Sequence, residues 1–192
     1  MTSCLRTSIG AAMLTALGIM YITTGASAQD LAGEPIWTFD GEWPTQHIET
    51  ADLNGDGHLD LVAGSYDTEI RKKEGGIFDY RGGGVGVFVH QWTPNGYTSE
   101  RLATQADALT VALTDLNGDQ RLDILVGNDF DRQDYVWLRD GDGWVQSQPF
   151  DAMTTNTMSY DVGDVNNDGW QDIYLSEYGT SRLLLNCGGE RF

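Results

Sequence analysis

The chain has 192 residues and carries 29 Asp+Glu against 11 Lys+Arg, a formal net charge of −18. At 40% hydrophobic and 10% aromatic it can build a core, which excludes a disordered acidic tail. The charge excludes partners held mainly through phosphates, because nucleic acid and anionic membrane surfaces are repelled.

At the N-terminus, Arg6 is the only charge before Asp30. Ile9 to Ile22 form an apolar run, followed by Thr-Thr-Gly and the small triplet Ala26-Ser27-Ala28. This is the layout of a secretory signal peptide over residues 1–28, cleaved before Gln29. The run falls short of the ~20 apolar residues that span a bilayer, which argues against a retained anchor. The expected location is secreted, periplasmic or cell-surface, with no membrane span after cleavage. Losing Arg6 with the leader moves the charge from −18 to −19 and leaves Cys187 as the one cysteine. No disulfide within the chain is then available, so something else must hold a secreted domain together.

Beyond the leader, Ile36-Trp-Thr-Phe-Asp-Gly41 reads as a strand and turn, followed by Trp43. Next comes Asp52-Leu-Asn-Gly-Asp-Gly-His-Leu-Asp60. It recurs as Asp115-Leu-Asn-Gly-Asp-Gln-Arg-Leu-Asp123 and as Asp164-Val-Asn-Asn-Asp-Gly-Trp-Gln-Asp172. Each places oxygen side chains at loop positions 1, 3, 5 and 9: Asp52, Asn54, Asp56, Asp60; Asp115, Asn117, Asp119, Asp123; Asp164, Asn166, Asp168, Asp172. A hard cation such as Ca²⁺ takes about six to eight oxygens, and alternate residues of a curled loop can aim three side-chain oxygens at one centre. The carbonyls of His58, Arg121 and Trp170 at position 7 are candidates for a fourth. Glycine at position 6 permits the left-handed turn; the second loop has Gln120 there, which makes its geometry costlier. Two to three ions are expected. Without metal the same residues would be Asx and glycine turns capping strands. An EF-hand is excluded, since position 12 is Ala63, Val126 or Leu175 rather than Glu, and the flanks are not helical.

Apolar runs follow the loops: Leu61-Val-Ala-Gly64, Ile124-Leu-Val-Gly127 and Ile173-Tyr-Leu175. Period-2 alternation over Val85–Val89 and Leu109–Thr114 predicts strands. Strands ending in Asn/Asp/Gly turns span 87–96, 136–143 and 183–189, and Tyr97, Trp144 and Phe192 follow those turns. Ser99–Asp107 carries a faint helical pattern. Tyr66–Gly82 reads as an insertion holding Arg71, Lys72, Lys73 and Arg81, a candidate contact for an acidic glycan or partner. The fold expected is all-β, with propeller-like blades of four-stranded antiparallel sheets, each too small to bury its own faces.

The D-x-N-x-D-G-x-x-D-[IL] loops, the apolar strand ending in Gly and the strand–turn–aromatic tail resemble FG-GAP/VCBS repeats, those of integrin-α-like β-propellers. The resemblance covers residues 29–192. It implies a calcium ion in each loop, at 52–60, 115–123 and 164–172, and a seven-bladed ring in well-known members. Propellers close with four to eight blades, so about three units predict an incomplete ring. Either the chain is the N-terminal part of a longer propeller, or several copies assemble.

The function expected is a secreted, calcium-stabilised scaffold that binds an extracellular protein or carbohydrate, with the metal structural. The alternative is part of a propeller-based carbohydrate-active enzyme, such as a polysaccharide lyase, with its catalytic residues outside this chain. No catalytic motif is present. Asp129, Asp131 and Asp134 beside Tyr135 and Trp137 form the one carboxylate group reminiscent of a glycoside-cleaving pair.

Overall fold

The computed structural model describes residues 19–20, 37–38, 45–66, 68–72, 78–82, 84–130, 132–148, 150, 156–189 and 192. Apart from Ile19–Met20, the predicted leader lies outside these residues, as does the turn at Asp40-Gly41 with Trp43. β1 (Ile19–Met20) and β2 (Trp37–Thr38) form a two-residue antiparallel pair. Among the described residues there is no helix, and so none long and apolar enough to cross a membrane.

Three antiparallel sheets repeat one plan. The first runs β3 (Thr45–Ala51), β4 (Asp60–Ser65), β7 (Val87–Thr93), β8 (Gly96–Ala103). The second runs β9 (Ala108–Thr114), β10 (Asp123–Asn128), β11 (Tyr135–Asp140), β12 (Gly143–Ser147). The third has β13 (Thr157–Gly163), β14 (Asp172–Glu177), β15 (Arg182–Leu184), three strands rather than the expected four. β5 (Thr68–Lys72) and β6 (Phe78–Gly82) pair only with each other, so the stretch between β4 and β7 stands outside the repeat as its own hairpin. None of the sheets closes on itself.

The faint helical pattern over Ser99–Asp107 is overturned. Up to Ala103 that segment is β8, with His90 opposite Ser99 and Phe88 opposite Arg101. Pairing with β7 satisfies its backbone groups, and the Arg101 guanidinium lies 5.5 Å from the Phe88 ring centroid. An edge strand half in water needs no apolar alternation, so periodicity does not report it.

Alternation decides the core. Ile124 and Val126 of β10 face the first sheet, joining Val62, Val87, Val89, Val111 and Trp137. Leu125 points the other way, onto Leu116, Val136, Ile173 and Leu175 at the third sheet. All six residues of β10 are therefore buried. The register positions of Leu116, Leu125 and Val136 are taken in the third sheet by Val165, Tyr174 and Leu183, which are 57%, 48% and 51% exposed on its outer face.

Gly64 and Gly127 occupy equal places in β4 and β10, and both admit the inner strand of the next sheet. A Cβ on Gly127 would sit 2.6 Å from Cγ2 of both Thr110 and Thr157; one on Gly64 would sit 2.5 Å from Cβ of Ala108. Polar contacts fasten the same end. Asp134 accepts the Asn128 amide at 2.7 Å, the Thr157 hydroxyl at 2.7 Å and the Tyr160 phenol at 2.6 Å, linking second sheet to third. Burial, then the Asp134 charge, pushes the Tyr160 phenol well above its ordinary pKa. Asp107 links second sheet to first by accepting the Gly84 amide at 3.4 Å, and holds Arg132 Nε, from the β10–β11 connection of its own sheet, at 2.7 Å.

Two outcomes follow. Gly127→Ala is expected to cost about 1–3 kcal/mol of stability by overpacking, read from the urea midpoint; an unchanged midpoint would show that the sheets part freely there. His90 is 2% exposed, its Nδ1 is 2.7 Å from Ser99 Oγ, and burial lowers its pKa from 6.5 to about 4. Between those values the unfolded imidazole binds a proton that the folded one refuses, so its stabilisation is lost as pH falls from 6.5 toward 4. The full loss is about 3 kcal/mol, and His90→Gln should flatten that part of the pH–stability curve relative to the parent.

Candidate metal sites

Each predicted loop joins the first two strands of its sheet, so all three project from the same end of the fold. They share one backbone. Position 4 has φ of 77° at Gly55, 74° at Gly118 and 60° at Asn167; position 6 has 86° at Gly57, 66° at Gln120 and 92° at Gly169. Gln120 thus takes the left-handed turn that the repeat demands, at a cost glycine avoids. The requirement at position 4 was missed from sequence, although Gly, Gly and Asn, the residues that tolerate it best, stand there.

The position-1 aspartates organise the loop amides. Asp52 Oδ1 accepts the amides of Gly55 at 2.7 Å and Asp56 at 3.0 Å, and its Oδ2 accepts Gly57 at 2.8 Å. Asp115 and Asp164 do the same toward Asp119 and Gln120, and toward Asp168 and Gly169. Asn54, Asn117 and Asn166 each accept the position-5 amide through Oδ1, at 3.0, 3.0 and 2.9 Å. Asp56, Asp119 and Asp168 accept the position-7 amides at 2.8, 2.9 and 2.9 Å. Positions 1, 3 and 5 are exposed or half-buried in every copy.

Position 9 behaves differently. Asp60, Asp123 and Asp172 are 0%, 0% and 1% exposed. One oxygen accepts the position-2 amide (Leu53, Leu116, Val165) at 3.1, 2.9 and 3.0 Å. The other accepts an amide from the third-strand side (Trp92, Arg139, Asn186), at 2.8 Å in all three. Desolvation raises the pKa of Asp60 and Asp123; the amides pull it down, and the position-5 and position-1 carboxylates push it up again. Those last contributions show positions 1, 5 and 9 close enough to repel.

The position-7 side chains turn away from the loops' interiors or compete with them. His58 stacks on Trp92 with centroids 3.4 Å apart. Trp170 packs over loop two, where a Cβ on Gly118 would meet its ring at 2.7 Å. Arg121 reaches Asp119 Oδ2 at 2.7 Å. Desolvation raises the Asp119 pKa, but the Arg121 guanidinium, the Arg121 backbone amide and the Asn117 side chain together outweigh it, and the net shift is downward. Sequence reasoning also missed Asn186, whose side-chain amide donates to the carbonyls of Leu116 at 2.9 Å and Gln171 at 3.2 Å, joining loop two to the third sheet. The aromatic after the first turn has a job too: the Tyr97 hydroxyl donates to the Leu59 carbonyl at 3.0 Å.

The donor set is all oxygen, as a hard cation requires, and an amide on one lone pair of a carboxylate oxygen leaves another for a cation. Among the described residues no three His, Cys, Asp or Glu side chains are gathered as a ready metal group. A cation held here would rely on Asn Oδ1 and the position-7 carbonyl beside the aspartates.

Two other predicted groups are placed as well. Asp134 is engaged between sheets by the three donors described above; Asp131 lies outside the described residues. Tyr66–Gly82 holds Asp67, Glu69, Glu74 and Asp79 against Arg71, Lys72, Lys73 and Arg81, so it is neutral overall. Register sets Arg71 opposite Asp79 and Glu69 opposite Arg81.

The FG-GAP-like repeat model matches residues 52–126 and 115–175, each match opening on the first aspartate of a loop. No curated protein matches the chain.

Gln120→Gly is expected to stabilise the chain by about 0.5–1 kcal/mol by relieving the left-handed residue. Gly57→Gln should destabilise by a similar amount, and urea midpoints of the two variants check both directions.

Proposed function

We propose that this chain, which belongs to the FG-GAP-like repeat family, is an extracellular β-propeller-type scaffold that binds a protein or carbohydrate and is stabilised by calcium in its loops. The observation that carries the reading is the threefold loop: the same left-handed turns and the same carboxylate–amide pattern at one end of three successive sheets. Asp52, Asn54 and Asp56 with the His58 carbonyl, and their equivalents around Asp115 and Asp164, would hold the ion. A bound Ca²⁺ supplies charge neutralisation, offsetting the repulsion among three neighbouring aspartates per loop.

The metal's role in this reading is structural. Position 9 is buried and accepts one backbone amide on each oxygen, so it anchors the loop to the sheet. An ion at positions 1 to 7, closed by a remaining lone pair of position 9, would brace that loop. At a hundredfold excess over Kd one site contributes about 2.7 kcal/mol. Two or three sites rival the ~5–15 kcal/mol that holds a domain together. The second loop, with Gln120 at position 6 and Arg121 on Asp119, is the weakest of the three. The apolar leader before Ala26-Ser27-Ala28 supports secretion into a calcium-rich compartment.

Removing calcium with EDTA is expected to lower Tm by more than about 10 °C, with elemental analysis finding two or three calcium ions per chain before chelation. An unchanged melting curve, with no calcium in the purified protein, would refute the reading.

A further inference from the structure

The end of the sheets opposite the loops carries an aromatic row. Six residues after the position-9 aspartate stand Tyr66 in the first sheet and Tyr178 in the third; the second sheet has Asp129 there, followed by Phe130. Phe130 has φ 58°, a left-handed conformation that a bulky residue avoids. Its register twin in the third sheet is Gly179, with φ 133°. The third sheet therefore fills this position with a strain-free glycine, and the second sheet with a phenyl ring.

That ring is not in the core: Phe130 is half-buried and belongs to neither apolar cluster. It stacks with Tyr66 across the boundary of the first two sheets, centroids 5.9 Å apart and planes at 14°. Rings in contact lie about 3.5 Å apart in height, so these two are slipped sideways by about 4–5 Å and form a broadened platform rather than a closed stack. The Tyr66 hydroxyl donates to Asp129 Oδ2 at 3.2 Å, which sets a carboxylate at the platform's edge. One sheet further on, Tyr178 is 85% exposed, and Glu177 next to it accepts from Arg182 at 3.0 Å. Packed sheets lie about 10 Å apart, roughly the span of two sugar units in an extended chain.

We propose that this row, Tyr66–Phe130 and Tyr178 with Asp129, is a binding rim for a neutral polysaccharide, the nearly buried Glu177 being held by Arg182. The proposal rests on the reading of the chain as a binding scaffold and specifies its ligand. The C–H groups of a sugar ring, polarised by their oxygens, sit on the negative face of an aromatic ring, while carboxylates accept from the hydroxyls. A net charge of −18 repels a polyuronate, and the stretch Tyr66–Gly82, with four acids against four bases, adds no net positive charge to attract one.

The test is affinity of the full chain, in calcium-containing buffer, for cellohexaose, laminarihexaose, mannohexaose and xylohexaose, with polygalacturonate as the acidic comparison, by titration calorimetry. At least one neutral hexasaccharide should bind and polygalacturonate should not. Phe130→Gly should weaken that binding at least tenfold with Tm unchanged or raised, because glycine relieves the strained turn. Tyr178→Ala, at an exposed position that does not threaten folding, should weaken it several-fold. No binding to any of the four, preference for polygalacturonate, binding indifferent to both substitutions, or a large fall in Tm for Phe130→Gly would each overturn the proposal. Calcium-dependent melting is independent of all these outcomes, so a failed glycan rim and a failed scaffold remain distinguishable.

Discussion

One buried carboxylate per sheet sets the geometry of everything around it. Asp60, Asp123 and Asp172 sit at the first residue of the second strand with almost no exposure. A lone ionised carboxylate there would be expensive. Each is compensated by two backbone amides, one from the start of the loop and one from the third-strand side. Two strands and a loop are thereby held by one side chain. The loop has to close within eight residues, and it does so through left-handed turns at positions 4 and 6. The aspartates at positions 1 and 5, exposed or half-buried, then share one short loop with the buried anchor. The electrostatic problem that calcium would solve is a consequence of the anchor.

Much of this was legible from residue type and spacing. Oxygen side chains at alternate positions marked the loops, period-2 alternation marked β7 and β9, and the continuous apolar run Ile124-Leu-Val marked β10, which is buried on both faces. Other features were not legible, for physical reasons. β8 is a half-solvated edge whose Thr98, Ser99, Glu100 and Arg101 give no apolar period. The special standing of position 9 depends on amides of Trp92, Arg139 and Asn186, residues 14 to 32 positions away. Asp134 looked like one of a group of surface acids; its partners Thr157 and Tyr160 lie on another sheet, and only the fold brings them to it. The row of cations at 71–73 stood out in an acidic chain, yet cross-strand register sets Asp79 against Arg71 and Glu69 against Arg81.

The two ends of the sheets handle negative charge in opposite ways. At the loop end, nine of the 29 acids fall in three loops, six of them exposed or half-buried. At the far end, Asp107 and Asp134 are buried and bridge neighbouring sheets through Gly84, Thr157 and Tyr160. These contacts continue between sheets the work that Gly64 and Gly127 begin by letting backbones approach. Among the described residues the sheets are thus joined by packing and buried hydrogen bonds, and in the proposed reading calcium would add its hold at the loops.

Repetition also gives an internal standard for judging departures. Gln120 and Phe130 are both non-glycine residues at positive φ; the twins of Gln120 are Gly57 and Gly169, and the twin of Phe130 in the third sheet is Gly179. They differ in what surrounds them. Gln120 is exposed on a loop that keeps the backbone of its neighbours, so its strain serves nothing visible in the fold. Phe130 meets Tyr66 on the next sheet and stands beside Asp129, so its strain places a ring where the repeat would otherwise leave a bare turn. The fold tolerates the first; the second has a geometry of its own. Since the sheets need neither residue to stack, the difference between them separates drift within a repeat from a surface built for contact.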